Sequence, residues 1–268
     1  MLTSSPADLA RRDTQLYQRH LANAGGSPLA TNGEGGNIQR FVEGLYSVAG
    51  LSGVRELWFC RSAQNAGSET TLYGFRNVDH GTLTGSTWTA NAIESTAGQY
   101  INFGTIGSLT APCSLLAVAL NNPGNVACFT RSNTDGGPMS QVEGVHFNSG
   151  GGGNYPTLIA VKQNVSSLTT ALTPFPTYPN FFFTGFDRAG GCGGYIGRFV
   201  SDSNAYSAEY SFSHYGNGRT LLAGEATGVN TSATSFLAVI QRKLTDPEFQ
   251  LLTGLYKVSA GHSLNLPE

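Results

Sequence analysis

The chain has little charge and little helical pattern. Charged residues make up 12% of 268 positions and the formal net charge is −2. Its 15 Lys and Arg are scattered, which excludes the basic footprint of a nucleic-acid binder and the polybasic patch of a membrane-surface protein. No run is apolar over the length of a membrane span. The opening "MLTSSPADLARRDTQLYQRH" holds no hydrophobic stretch of signal-peptide length. Synthesis in the cytoplasm is therefore expected, with any later exterior location reached by lysis or a dedicated export route.

Cysteine is scarce as well. Cys60, Cys113, Cys128 and Cys192 form no C-x-x-C pair, which argues against a zinc site or a dithiol redox centre. Cys113 and Cys128 flank an expected hairpin, "SLLAVALNNPGNVACFT". If Asn121 and Gly124 close its turn, Cys128 faces Ala117, and the slip to Cys113 is about 13 Å at ~3.3 Å per residue, beyond disulfide reach. Reduced, buried thiols are expected. His20, His80, His146, His214 and His262 carry no H-x-x-x-H spacing, so only the fold could assemble them into a metal site. "GGGG" at 150–153 lacks the lysine and hydroxyl of a phosphate-binding loop.

What the chain does have is glycine, 35 residues of it, with many Ser, Thr and Asn and 40% hydrophobic residues. That is the composition of a turn-rich β protein with a real core. Two helices precede the β region. Ser5, Pro6 and Asp8 read as an N-cap, a first-turn proline and an acid on the helix dipole, opening a helix over 6–23 with Leu9, Leu16, Tyr17 and Leu21 on one stripe. "AGGSPLATNGEGG" reads as a linker, and a second helix over 38–49 carries Phe41, Val42, Leu45 and Val48. Residues 1–53 are thus a helical docking or oligomerisation segment, with packing onto the same chain's core as the alternative. Residues 54–268 are the β domain.

From Val54 the helical period vanishes. "VRELWFCR", "TTLYGFR", "STWTANAI", "GQYINFG", "CSLLAVAL", "NVACFTR", "VEGVHF", "TLIAVKQ", "NFFFTGF", "GGYIGRFV", "AYSAEYSF" and "RTLLAGEA" are short, aromatic or β-branched, and bounded by turn residues. A dozen such strands predict an all-β two-sheet sandwich or jelly roll. "SFLAVIQR" is apolar on both faces and reads as a central strand. In "LTDPEF", Thr245 and Glu248 have capping-box spacing, Asp246 and Pro247 suit a first turn, and Phe249, Leu252, Leu255 and Tyr256 give a short covering helix.

This closing strand and helix, "SFLAVIQRKLTDPEFQLLTGLYK", resembles that of laminin-G-like, concanavalin A-like jelly rolls, and "STWTANAIESTAGQYINFG" resembles their early hairpin. More narrowly, "IQRFVEGLYSVAGLSGVRELWFCRSAQ" with that hairpin is similar to a group of bacteriophage structural proteins. The resemblance spans roughly 38–257. It implies a non-enzymatic virion component on head or tail, partnered by other virion proteins and assembled as a homo-oligomer, by family habit a trimer.

Retaining glycanases that resemble this fold carry an E-x-D-x-x-E strand with two carboxylates about 5–5.5 Å apart; it is missing here. The acids nearest in sequence, Asp8 with Asp13 and Asp246 with Glu248, belong to helix starts. Glu56 and Glu209 stand alone in apolar strands, which suggests a salt bridge or a solvent-facing position for each. No G-x-S-x-G elbow is present, "GHSLN" at 261–265 only approaching it, so no catalytic residues are expected. "NTDGG", "GFDRAGG" and "VSDSN" each offer one aspartate, too few for a calcium site without convergence of loops. No cofactor or metal is expected. The remaining possibility is glycan recognition by loop aromatics and polar neighbours: Tyr155, Tyr178, Asp187, Arg188, Tyr215 and Asn217 are the candidates. A tail-fibre adhesin that reads host surface glycans is therefore the alternative to a displayed decoration protein.

Overall fold

A computed structural model of the chain describes residues 4–25, 33–65, 69–96, 99–103, 114–119, 126–132, 142–148, 157–162, 165–171, 183–187, 191–195, 199–201, 222–223, 231–242 and 244–260. Helices α1 (Pro6–Asn23) and α2 (Glu34–Ala49) come first. The early strands are β1 (Val54–Phe59), β2 (Thr71–Leu72), β3 (Gly81–Thr84), β4 (Thr87–Trp88), β5 (Ile93–Thr96), β6 (Tyr100–Asn102) and β7 (Ser114–Ala119). They are followed by β8 (Val126–Ser132), β9 (Val142–Asn148), β10 (Thr157–Lys162), β11 (Val165–Ala171) and β12 (Phe183–Asp187). Strands β13 (Gly191–Tyr195), β14 (Phe199–Ser201), β15 (Leu222–Ala223) and β16 (Thr231–Ile240) lead into α3 (Asp246–Val258). The protein is mostly β, in antiparallel sheets, with helices at its N-terminal end. Among the described residues no helix is long and apolar enough to cross a membrane.

Strand β16 is the axis of the molecule. Phe236–Ile240 is hydrogen-bonded to β1 along one edge and to β7 along the other, while Thr231–Thr234 meets β5, which pairs with β4. Residues 233–240 are all buried, as an apolar-on-both-faces strand requires. Alternation then sorts the side chains. Leu57, Phe59, Leu116, Val118, Phe236, Ala238 and Ile240 share the face that packs on the helices. Trp58 and Leu237 point the other way, and the Trp58 ring lies 4.5 Å from Phe103, which follows β6 in a second sheet. That sheet runs in the order β11-β10-β9-β8-β15-β6-β3-β2, and β12-β13-β14 form a third.

Among the described residues β7 and β8 do not pair as the expected hairpin: β7 pairs with β16, and β8 lies in the second sheet between β9 and β15. Long-range pairing wins because β7 is apolar from Leu115 to Ala119 and gains more by lining the central strand than by meeting its sequence neighbour. Cys60 is a free, buried thiol whose pKa is pushed well up by burial. Cys113 and the 202–221 stretch that includes Glu209 lie outside the described residues.

Of the two placements open to the first fifty residues, the helices take the chain's own core. Tyr17 and Leu21 of α1, Phe41 and Leu45 of α2, and Leu252 and Tyr256 of α3 belong to one buried cluster with the β1 and β16 side chains. Phe41 sits 5.3 Å from Phe236 and 5.4 Å from Tyr256, edge to face. Helix α1 starts as expected, with Ser5 Oγ accepting from Asp8 N at 3.2 Å. Asp13, however, is no helix-start acid. It is buried mid-helix, where Tyr46 Oη of α2 donates to Oδ2 at 2.8 Å and Arg12 pairs with Oδ1 at 2.8 Å.

Helix α2 begins at Glu34, four residues before the apolar period predicts, and runs through Gly35 and Gly36. Each such glycine costs about 1 kcal/mol of helix propensity. The buried Glu34 carboxylate offsets it by accepting from Gln64 Nε2 at 2.9 Å and lying 3.7 Å from Arg61 Nη1. At α3, Glu248 Oε2 accepts from Thr245 N at 2.7 Å, completing the expected capping interaction, and Arg242 Nη2 lies 2.6 Å from Oε1.

Candidate functional site

Two clefts in the described part of the chain carry chemistry. The first opens where two sheet edges adjoin. Strands β2 and β3 end the second sheet, and β4 ends the sheet built on β16. Between β3 and β4 the chain passes from one sheet to the other through Gly85, at φ 72°, and Ser86. A left-handed backbone there suits glycine, and a Cβ would also meet Gln99 Cγ at 3.0 Å. The result is an open groove of about 400 Å³ lined by Glu69, Thr70, Ser86, Thr87 and Trp88 over a Leu83 floor.

Trp88 is half-buried in this groove, and its Nε1 donates to Glu69 O at 2.7 Å, which pins the ring. Ser86 Oγ is 2.7 Å from Ser95 Oγ, tying the crossing turn to β5. Glu69, Thr70 and Thr87 are exposed. An oriented indole beside hydroxyls and, among the described residues, one carboxylate and no cation can stack on an apolar ring face and hydrogen-bond the polar groups around it.

The second cleft, about 440 Å³, lies between α1 and the turn that follows β2. Arg12, Leu16, Arg19 and Asn23 form one wall at helical spacing, and Phe75, Arg76 and Asn77 form the other. Glu56 builds the second wall. Its buried carboxylate accepts from the backbone N–H of Leu57, Arg76 and Val78 at 2.9, 2.7 and 2.9 Å, and from Asp79 N at 3.2 Å. The expected salt bridge or solvent-facing position for Glu56 is thus corrected. The strand places it inward, and amides of the turn take the role of a cation. Burial pushes its pKa up from the ordinary carboxylate range, and the four amide donors pull against that shift. Gly74 has to be glycine here, because a Cβ would meet Asp79 O at 2.2 Å.

The fold also joins histidines that sequence keeps apart. His20 of α1 and His80 stack with centroids 5.4 Å apart and planes 12° from parallel, and Tyr73 meets His20 edge-on at 4.9 Å. His80 Nδ1 accepts from Gly74 N at 3.1 Å, so that nitrogen carries no proton. Burial lowers the His80 pKa, His20 adds to the effect, and Asp79 opposes it. Among the described residues no group of three His, Cys, Asp or Glu could hold a metal ion.

Of the six glycan candidates from the sequence, Asp187 alone falls among the described residues. It ends β12 in register with Gly191, at the mouth of the β12–β13 hairpin. Tyr155, Tyr178, Arg188, Tyr215 and Asn217 lie outside them. Trp88 was missed because "STWTANAI" reads as one strand, whereas the structure breaks it after Trp88 and resumes at Ile93. The available signal was one of only two tryptophans set among Gly, Ser, Thr and Asn.

No family model matches the chain, and no curated protein matches it. Solved structures do. Trypanosoma rangeli sialidase aligns at TM-score 0.55 and 9% identity, over 84% of this chain and 39% of the sialidase. The same sialidase in complex with sialic acid aligns at TM-score 0.53 and 7% identity, over 84% and 39%. The ligand binding domain of Botulinum neurotoxin serotype D, in complex with N-acetylneuraminic acid, aligns at TM-score 0.52 and 11% identity, over 79% of this chain and 52% of that one. The chain therefore spans about two-fifths of the sialidase and about half of the toxin chain. At these identities the likeness is one of fold.

Proposed function

We propose that the protein is a non-enzymatic carbohydrate-recognising β module carried on a phage particle, and that it holds a neutral saccharide in the Trp88 groove. The observation that carries the reading is the pinned indole at a sheet-edge junction, flanked by the Thr70, Ser86 and Thr87 hydroxyls and the Glu69 carboxylate. The apolar face of a pyranose stacks on the ring and its hydroxyls reach the polar rim. Among the described residues the groove has an acid and no cation, so a neutral sugar fits it better than the acidic sugars bound by the neurotoxin domain and the sialidase complex.

The likeness in fold to that toxin domain supports carbohydrate binding, as does the concanavalin A-like resemblance of the sequence. The Trp58–Phe103 contact between sheets supports a two-sheet jelly roll. Placement on a virion, with other virion proteins as partners and a trimer as the assembly, rests on the sequence resemblance to phage structural proteins. The non-enzymatic reading rests on the absence of paired carboxylates in the sequence.

A glycan array probed with the full chain tests the proposal. Selective binding to neutral oligosaccharides, lost by at least tenfold (about 1.4 kcal/mol) in Trp88→Ala, is expected. Absence of binding across the array would leave only the decoration role, and equal binding by Trp88→Ala would overturn the assignment of the sugar to this groove. Turnover of a polysaccharide abolished by Glu69→Gln would overturn the non-enzymatic part.

A further inference from the structure

The cleft between α1 and the turn after β2 is separate in place and in chemistry from the Trp88 groove. Three guanidinium groups line it, those of Arg12, Arg19 and Arg76, against the single carboxylate of Asp13. That carboxylate is already committed, Oδ1 to Arg12 and Oδ2 to Tyr46 Oη. Arg76 Nη1 donates to the Leu51 and Val54 carbonyls, which anchors the side chain without neutralising it. Among the described residues neither Arg19 nor Arg76 has a carboxylate partner. Among the described lining residues the cleft therefore holds two positive charges in excess, with the buried Glu56 carboxylate behind the Arg76 turn committed to backbone amides, and it lies above the rings of Tyr17 and Phe75, which pack 5.2 Å apart. A concave, low-dielectric wall of this kind concentrates the field of the charges on its rim.

The geometry is also set before any ligand arrives. Asn77 sits at φ 59°, a left-handed conformation, and the turn holding it is fastened by the amide bonds to Glu56 on either side. Leu16 is 53% exposed on the opposite wall, an apolar shelf beside the cations. Asn23 and Asn77 add amide groups at the two ends. A planar guanidinium matches a carboxylate with two parallel hydrogen bonds, which a compact cation cannot do.

We propose that this cleft is an anion-recognition site for a carboxylate carried on a small, partly apolar body, with Arg19 as the principal contact and Arg76 on the facing wall. The carboxylate could come from an acidic saccharide or a free carboxylic acid; the cations recognise the same group in both, and the Leu16 shelf favours the larger body.

The test uses the full chain in ¹⁵N NMR titrations, following arginine Nε–H resonances and the Asn77 amide. Sodium glucuronate, sodium acetate, glucose and inorganic sulfate serve as probes. Glucuronate should shift the Arg19 and Asn77 signals with saturation, acetate more weakly, and glucose not at all. Binding should weaken at least fivefold in Arg19→Gln, recover only partly in Arg19→Lys, and persist unchanged in Trp88→Ala, which separates this site from the groove. All these variants change exposed or half-buried positions, and their unfolding midpoints provide the folding control. Equal shifts with glucose, tighter binding of sulfate than of glucuronate, or unchanged glucuronate affinity in Arg19→Gln would each overturn the proposal.

Discussion

Glu56 is the residue at which two large forces oppose each other. Burial penalises its charge, and four backbone N–H groups reward it. Glu56→Gln decides which wins. Glutamine removes the charge but turns an NH₂ toward donors that have nothing else to bond. It should destabilise the fold by about 2 kcal/mol, read as a lower urea midpoint at unchanged slope; a neutral or stabilising effect would show that desolvation dominates. Little in "VRELWF" could have announced this, since three of the four donors, the amides of Arg76, Val78 and Asp79, come from residues twenty and more positions away. Trp88, by contrast, was legible as a tryptophan in a polar setting and was hidden only by reading through a strand break.

His80 gives the residue scale its pH dependence. Its folded pKa is lowered, so the unfolded chain takes up the proton first as pH falls from about the ordinary value of 6.5. The stability tied to the neutral ring is present above that pH and is lost as pH drops through the lower folded value. Protonation removes the acceptor for Gly74 N and places a charge against His20. Urea midpoints measured between pH 7.5 and pH 5 should fall, and fall less in His80→Asn, whose Oδ1 can still accept from Gly74 N. An equal pH dependence in both proteins would contradict the assignment.

Among the elements, α1 is the one whose role the sequence left open. Its capping and its stripe were readable because both are local, but a narrow apolar stripe does not say whether its partner is another molecule or the same chain. The structure supplies the partner: Tyr17 packs near Phe59 and Phe75 and its hydroxyl donates to Gln64 O at 2.8 Å. Removing residues 1–25 takes away Tyr17 and Leu21, both fully buried, at about 1.5–3 kcal/mol each. The truncated chain should unfold at a markedly lower temperature and bind a hydrophobic dye. A wild-type midpoint would show that α1 docks outward in solution. The same locality explains β7, whose strand character was plain in "SLLAVA" while its partner, β16, lies more than a hundred residues downstream. Strands β3 and β11, built largely of Thr, Ser and Gly, were not read because their pattern is set by neighbours and not by their own hydrophobicity.

At the scale of the whole molecule, the central strand and its covering helix were written into the last thirty-odd residues of sequence, and the mostly antiparallel β class into its composition. The two clefts were not, because each forms only when separate elements meet: the edges of two sheets in one, a helix and a turn about sixty residues on in the other. Sedimentation of the intact chain tests the assembly proposed with the virion reading. A trimer is expected, and a stable monomer would remove that part while leaving both clefts as they are.

The groove itself can be read directly, because the chain has two tryptophans and both indole N–H groups are hydrogen-bonded, Trp58 to Asp79 O and Trp88 to Glu69 O. Two indole resonances should therefore be resolved by NMR, one from the core and one from the groove. On titration with the neutral oligosaccharide that binds best on the array, the Trp88 signal should move and saturate while the Trp58 signal stays in place. A stationary Trp88 signal at saturating sugar would contradict the central claim that this groove is where the protein holds its ligand.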